Sequence, residues 1–152
     1  MKNSPLQLNR YFVTEFSLTA NKEFDSKKEI KLGIENVVVT PALVSAPSHP
    51  RQWQVTLRIQ LQPNPDANAP YFFTLELVGL FRVSDAYPEE NVEWIVQTNA
   101  TSVLYSAARE VLRSAMAQGP YPPFLLPTAS FYGPNPNKPA TPPTEATAAA
   151  TK

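Results

Sequence analysis

The sequence predicts an α+β fold in which a four-stranded antiparallel sheet packs against one long C-terminal helix. Apolar and polar residues alternate in four segments between residues 6 and 83, a spacing that is typical of strands. After Pro88 the apolar spacing changes to three and four residues, which is typical of a helix. Strands followed by a helix favour two segregated layers over alternating βαβ units. The chain of 152 residues can bury one sizeable core, and we expect one domain over residues 1–132.

The first two predicted strands lie near the N-terminus. LQLNRYFVTEFSLTA, residues 6–20, places most of its apolar side chains at even positions. Arg10 falls on the same face, which indicates a β-bulge or a sheet edge at this point. The second strand is predicted in KEIKLGIENVVV, residues 28–39, because aliphatic side chains alternate there between positions 30 and 34.

The third and fourth predicted strands follow a proline-rich connection. PALVSAPSHPR, residues 41–51, has three prolines and is predicted as a crossover rather than a hairpin turn. WQVTLRIQLQ, residues 53–62, alternates strictly, as expected of a strand that is covered on one side only. YFFTLELVGLFRV, residues 71–83, is apolar on both faces at its end, so we expect cover on both sides there. Gly79 within it predicts a bulge or a close backbone approach.

The helix is predicted between two signals that are typical of helix ends. Pro88 and the two glutamates after it suit a helix start, and Gly119 followed by proline suits its end. The polar stretch QTNATS, residues 97–102, predicts an interruption, with Thr101 or Ser102 capping the second half. Small residues on the helix would allow close packing, either on its own sheet or on another subunit. The final residues, 133–152, are rich in Pro, Ala and Thr and are predicted to form a disordered tail.

Charge and composition exclude several classes of function. Thirteen basic residues balance thirteen acidic ones without a run of like charge, so neither nucleic-acid binding nor an anionic membrane surface is predicted. There is no stretch of about 18 apolar residues and no signal-peptide core at the start, which predicts no membrane insertion. The absence of cysteine suits a reducing compartment, and we expect a cytoplasmic protein.

The sequence does not favour an enzyme. The only histidine, His49, stands among prolines without an acidic residue close by in sequence, so a structural loop role is the better interpretation. There is no glycine-rich phosphate loop, no GxSxG motif and no histidine pair at metal-ligand spacing. We therefore predict no catalytic residues, no metal site and no cofactor.

Apolar side chains in predicted loops are the most informative feature for function. Leu43 and Val44 lie in the predicted crossover, and Tyr121, Phe124, Leu125 and Leu126 follow the helix. These residues either close the edges of the core or form a groove for an extended apolar peptide, as sheet-and-loop surfaces do. With Trp53 at the start of the third strand, they are the predicted peptide-binding residues.

VLYSAAREVLRSAMAQGPYPPFLLPTASF, residues 103–131, resembles the SecB family of protein-export chaperones. The family motif is a helix of the form N-x-L-F-P-Y-A-R-E-x-I, then a glycine, a Phe-Pro or Tyr-Pro pair, and L-x-P-V-N-F. The positions that match it are Leu104, Ala108, Arg109, Glu110, Gly119, Pro122, Leu126, Pro127 and Phe131. The first predicted strand is similar to the first strand of the family, EIKL at 29–32 to its second, and GLF at 79–81 to the end of its fourth.

The resemblance implies an ATP-independent holdase, a chaperone that keeps unfolded client chains bound through apolar grooves. It implies dimers whose sheets join and a tetramer in which helices pack between dimers. The crossover and the post-helix loop would line the groove. The resemblance also implies docking to the SecA translocation motor through acidic residues of the sheet, here Glu15 and Glu76, whereas Thr19 replaces another such residue.

Two departures from the family pattern leave other functions open. The second helix of the family is not expected, because FYGPNPNKPATPP cannot continue as a helix, and the zinc-binding tail of some members is missing. One alternative is a SecB-like chaperone dedicated to a single client, such as an antitoxin. Another is a structural or small-ligand-binding oligomer that has the fold without the holdase function.

Overall fold

The computed structural model describes residues 1–138, in which four strands form one antiparallel sheet and a long helix covers one of its faces. The strands are β1 (Leu6–Ala20), β2 (Val37–Ala46), β3 (His49–Leu61) and β4 (Tyr71–Val83), in the order β1-β4-β3-β2. The helix comprises a 3₁₀ turn (Glu89–Asn91), α1 (Val92–Ile95), a π-turn (Val96–Ala100) and α2 (Thr101–Met116). The predicted α+β architecture is confirmed. Residues 139–152 of the predicted tail lie outside the described residues.

The irregularity predicted at Arg10 is confirmed, because β1 is an edge strand with two shifts of register. The shifts fall between Leu8 and Arg10 and between Val13 and Glu15. The first shift turns Arg10 and Phe12 to the face of the sheet that the helix does not cover, opposite Leu80 and Val78 of β4. The shift thus reverses which positions of the strand face the helix, since Leu8 lies on the helix-covered face and Arg10 does not.

The second strand and the crossover were predicted wrongly. Residues 29–33 are not part of a strand, Ile34–Asn36 form a 3₁₀ turn, and β2 begins only at Val37. The segment 41–51 belongs to a hairpin, in which β2 and β3 pair from Val37 opposite Leu61 to Ser45 opposite Trp53. Pro41 is tolerated because β2 is the other edge strand, and an edge strand leaves one row of N–H positions outside the ladder. Pro47 lies in the turn of the hairpin, and Pro50 lies in β3 before its pairing with β4 begins at Gln52. The prolines therefore do not mark a crossover.

The core lies between the sheet and the helix, and Gly79 sets how closely the two approach. A Cβ atom at Gly79 would lie 2.8 Å from Cδ2 of Leu104 and 2.6 Å from Cε2 of Phe81. The predicted close backbone approach is thus confirmed, and Leu104 of α2 occupies the space that a side chain would need. Around it, β3 and β4 contribute fully buried aliphatic residues to one continuous core, among them Val55, Leu57, Ile59, Leu75 and Leu77.

The predicted interruption of the helix is a π-turn and not a capped break. The backbone remains helical from α1 through the π-turn to α2, so neither Thr101 nor Ser102 caps a new helix, and that prediction was wrong. The Ser102 hydroxyl instead donates to the carbonyl of Thr98 at 2.7 Å. The Thr101 hydroxyl is buried and has no hydrogen-bond partner among residues 1–138. The start after Pro88 and the end before Gly119 agree with the prediction.

Candidate functional site

The face of the sheet opposite the helix carries an exposed apolar patch at one end. We call Phe12, Val44 and Leu80, with the buried Val78 beside them, the open-face patch. Strand pairing aligns Val44 with Gln54 of β3, and Gln54 with Leu80 of β4, so these residues share one face. The Val44 side chain is 62% exposed. Large apolar side chains that share one exposed face are typical of an interaction surface.

Two of the predicted peptide-binding residues border one cleft at this end of the sheet, although Trp53 lies on the helix-covered face, where it pairs with Phe81 and packs half-buried against the core. Val44 and Trp53 line one shallow cleft of about 400 Å³ together with Gln54 and Leu80. The Trp53 indole N–H donates to the carbonyl of Pro50 at 3.0 Å, which fixes the ring against the hairpin. Leu43 lies on the opposite face of β2, half-buried against the core, so its side chain contributes to packing.

The other predicted residues lie on the segment that follows α2, and Tyr121 fixes its start. The Tyr121 N–H donates to the Tyr71 hydroxyl at 2.7 Å, and this hydroxyl donates to the Tyr121 carbonyl at 2.6 Å. The Tyr121 ring packs between Phe24 and Tyr71, with ring centroids 5.0 Å and 5.8 Å away. A Cβ at Gly119 would lie 2.5 Å from the Tyr71 hydroxyl, which explains a glycine at the helix end.

The three residues Phe124, Leu125 and Leu126 differ sharply in accessibility. Leu126 is only 2% exposed, and its carbonyl accepts a hydrogen bond from Nε of Arg109 at 3.0 Å. Phe124 is half-buried against the core. Leu125 is 57% exposed. Leu125 therefore offers the apolar surface of this segment, while Leu126 anchors the segment in the core.

A single chain does not bring these two groups into one groove. Tyr121 packs on Tyr71, the first residue of β4, whereas Trp53 pairs with Phe81 near its end. Ten residues of extended chain separate the two points, a span of about 33 Å. The predicted binding residues thus form two separate surfaces, one on the sheet and one after the helix.

A row of charged side chains crosses the middle of the open face. Glu15 and Glu76 lie opposite each other on neighbouring strands, and Arg58 of β3 lies opposite Glu76. The Arg58 guanidinium forms hydrogen bonds with both carboxylates, at 3.4 Å to Glu76. The hydrogen bond from Arg58 lowers the pKa of the Glu15 carboxyl below its ordinary value. The two residues predicted to contact a motor protein therefore share one cation, which leaves one net negative charge.

Sequence reasoning missed several residues of these surfaces. Phe12 stands at one of the even positions of β1, which alternation alone places on the core face, because the exact position of the bulge cannot be predicted from the sequence. Phe24 contacts Tyr121 from a loop that carries no periodic pattern. The exposure of Leu80 could have been predicted, because β4 is apolar on both faces near its end.

None of the helices in residues 1–138 is long and apolar enough to cross a membrane. The same residues contain no cluster of acidic and histidine side chains arranged to hold a metal ion.

Exposed apolar side chains that share one face of a sheet are typical of surfaces that bind other polypeptides. The SecB family, described as preprotein translocase subunit SecB, matches residues 1–133. The chain therefore belongs to the SecB family. This is a family of non-catalytic chaperones, so the prediction that the chain is not an enzyme is confirmed.

The protein-export protein SecB of Rhodopseudomonas palustris (strain TIE-1) is 30% identical over 82 residues, which are 54% of this chain and 52% of that protein. Its counterpart in Bradyrhizobium diazoefficiens is 28% identical over 83 residues, which are 55% and 51% of the two chains. The chain thus spans about half the length of the curated relatives it matches.

One similar solved structure is the Mycobacterium tuberculosis SecB-like chaperone in complex with a ChAD peptide from the HigA1 antitoxin. It has a TM-score of 0.58 and 16% identity, and the match covers 82% of this chain and 91% of that one. At this level of identity the likeness shows the fold, and it confirms the SecB-like architecture.

Proposed function

We propose that this chain is an ATP-independent holdase chaperone that binds unfolded or preprotein segments in protein export. Family membership supports a chaperone role in export. The main support for the holdase mechanism is the exposed apolar surface at Val44, Leu80 and Leu125. A cytoplasmic location, which the family implies, belongs to the same proposal.

The physical basis is burial of apolar client side chains against preformed apolar surfaces. Burial of apolar area provides about 25 cal/mol per Å², without directional requirements, so clients of different sequence can bind. Each contact is weak, and affinity depends on how many contacts one flexible client makes at once. Because the two apolar surfaces are separate, one on the sheet and one after the helix, a long extended client is the ligand that fits both.

The exposed residues Val44 and Leu125 provide the test. In assays that follow aggregation of a chemically denatured protein without ATP, Val44→Asp and Leu125→Asp should each reduce suppression by about threefold to tenfold, which corresponds to loss of roughly 1 kcal/mol of apolar contact. Thr128→Asp is the matched control, because Thr128 is also exposed on the post-helix segment. Melting temperatures should be unchanged, since none of these side chains is buried.

Equal suppression by all the variants would contradict the proposed surfaces. Selective binding of one partner peptide, with no suppression of general aggregation, would favour a chaperone dedicated to a single client. No binding of any unfolded chain by a folded oligomer would favour a structural or small-ligand-binding role.

The proposal includes assembly into a dimer of dimers. β1 is an open edge strand, and its Tyr11, Val13 and Phe16 are each more than 40% exposed at the rim of the helix-covered face. An exposed apolar edge of this length is a template for pairing with a second chain. β2, by contrast, carries Pro41 within its edge, which disfavours pairing on that side.

The proposal also includes docking to the SecA motor. Glu15 and Glu76 are the contact residues, and their shared partner Arg58 reduces the negative charge that they offer. Glu15→Gln combined with Glu76→Gln should weaken binding of purified SecA in a sedimentation assay and leave binding of unfolded chains unchanged. An unaltered SecA affinity would show that these carboxylates are not contacts.

A further inference from the structure

The segment after Leu126 returns along the helix as an extended strap. We define the strap as residues 127–137. Its contacts run in the reverse direction along the helix: the carbonyl of Pro127 lies near Tyr105, that of Gly133 near Trp94, and Asn135 near Asn91. The strap therefore lies antiparallel to the helix over its N-terminal half, where a second helix is absent among the described residues.

The helix holds the strap through two backbone carbonyls and two asparagine side chains of the strap. Of the asparagines, Asn135 donates to the side chain of Asn91 and Asn137 to the carbonyl of Glu90. The Tyr105 hydroxyl donates to the carbonyl of Pro127 at 2.7 Å, and the Trp94 indole N–H donates to the carbonyl of Gly133 at 3.0 Å. Next to the strap, Arg109 donates to the carbonyl of Leu126. Every polypeptide has carbonyls at these spacings, and prolines are accepted because they keep a carbonyl while lacking an N–H. Donors of this kind bind extended proline-containing chains of varied sequence.

The side chains of the strap alternate as those of an extended peptide in a groove do. Inward positions are half-buried and outward ones are exposed; the former are Ala129, Phe131, Gly133 and Asn135, and the latter are Thr128, Ser130, Tyr132, Pro134 and Pro136. The Phe131 ring packs on Tyr105 and the Tyr132 ring on Trp94, with centroids 5.4 Å and 5.8 Å apart. Two aromatic contacts, two hydrogen bonds to backbone carbonyls and two asparagine side chains thus hold the strap on the helix.

The strap does not fill the space beside the helix. A cleft of about 440 Å³ remains between the two, lined by Trp94, Gln97 and Thr98 of the helix and by Phe131 and Pro134 of the strap. Inward strap positions hold small residues, with Ala129 and Gly133 on either side of Phe131. A segment with larger apolar residues at those positions would bury more surface in the same groove.

We propose that the strap is an internal, displaceable occupant of a peptide groove formed by Asn91, Trp94, Tyr105 and Arg109. The external ligand is an extended, proline-tolerant segment of a client chain with apolar side chains at alternate positions. The inference rests on the proposed chaperone function, and it assigns a site away from the open-face patch. The covalent link gives the strap a high effective concentration, so it shields Trp94 and Tyr105 until a client competes.

The test uses the full chain and a fluorescein-labelled peptide of the strap sequence, PTASFYGPNPNK, with binding followed by fluorescence anisotropy. Phe131→Ser combined with Tyr132→Ser removes both aromatic contacts of the strap and leaves the helix side chains in place. If the strap occupies the groove about nine-tenths of the time, its release should tighten binding of the labelled peptide about tenfold. Thr128→Ala combined with Ser130→Ala is the matched control at exposed strap positions, and it should bind as the wild-type chain does.

Adding Trp94→Phe to the released variant removes the indole donor and should abolish most of the gain. Peptide binding that is no tighter in the released variant than in the wild-type chain would overturn the inference. If the double variant fails to fold, as judged by circular dichroism, the single variant Tyr132→Ser replaces it in the peptide-binding measurement. Its side chain is 74% exposed, so the fold should persist, and binding should tighten about threefold if the strap is partly released.

Suppression of aggregation, measured in parallel, separates this inference from the proposed function. Release of the strap should lower the amount of protein needed for suppression. Suppression without any binding of the strap peptide would overturn the groove and leave the holdase function intact. Peptide binding without suppression would support the groove and contradict the holdase function.

Discussion

At the scale of single residues, Gly79 controls the contact between the sheet and the helix. Substitution Gly79→Ala would place a methyl group within 2.8 Å of Leu104 and 2.6 Å of Phe81 in a fully packed core. Overpacking of this kind costs about 1–3 kcal/mol. We expect the midpoint of urea unfolding to fall accordingly. Gly133→Ala is the control, since its Cβ would have no atom within 4 Å, and it should leave the midpoint unchanged. Equal midpoints for the two variants would show that the helix can move away from Gly79.

The second residue-scale prediction concerns pH and the carboxylate of Glu15. Hydrogen bonding from Arg58 lowers the pKa of this carboxyl in the folded state below the ordinary value of 4.5. A lowered pKa means that the ion pair stabilises the fold at neutral pH, and that this contribution is lost as the pH falls from about 4.5 through the lowered pKa. The melting temperature of Glu15→Gln should therefore differ most from the wild-type value near neutral pH, and the gap should close in acid.

Glu23→Gln, at an exposed glutamate, is the control and should show no such convergence. A gap between wild type and Glu15→Gln that stays constant from neutral to acid pH would mean that Arg58 does not stabilise the Glu15 carboxylate in solution. Added salt should reduce the gap at neutral pH, because the pair is exposed to solvent.

At the scale of elements, the sequence predicted β1, β3, β4 and both ends of the helix. Regular alternation defined β3 and β4, because each has one face buried against the helix and period two is then enforced. The prediction of β2 failed because this edge strand contains Pro41, and because residues 30–34 alternate without pairing. The π-turn could not be predicted, since a polar gap in a helix looks the same whether the chain is capped or gains a residue.

The prediction at the scale of elements concerns the edge strand β1. Tyr11 is exposed on it, and Tyr11→Lys places a charge where a second chain would pair. We expect the mass found by light scattering to fall from that of the proposed tetramer to that of a smaller species. Thr19→Lys, also exposed on β1, adds the same charge near the other end of the strand and is the control. An unchanged mass for Tyr11→Lys would show that assembly does not use this part of the edge.

At the scale of the whole molecule, the sequence identified many surface residues but not their arrangement. Val44, Trp53, Tyr121 and Leu125 were predicted together, and the structure separates them into two surfaces. Their separation depends on strand register and on the path of the chain after the helix, and neither is encoded in local periodicity. The strap was predicted in part as disordered tail, because its composition gives no sign of the hydrogen bonds from Trp94 and Tyr105.

The central claim is that the chain binds polypeptides in the unfolded state through apolar surface. The most direct measurement compares its affinity for one labelled polypeptide in two forms, a permanently unfolded variant and the folded parent, without ATP. The account predicts that the unfolded form binds, that the folded form does not, and that Val44→Asp and Leu125→Asp weaken the binding. Equal affinity for both forms, or no binding of the unfolded form by the folded protein, would contradict it.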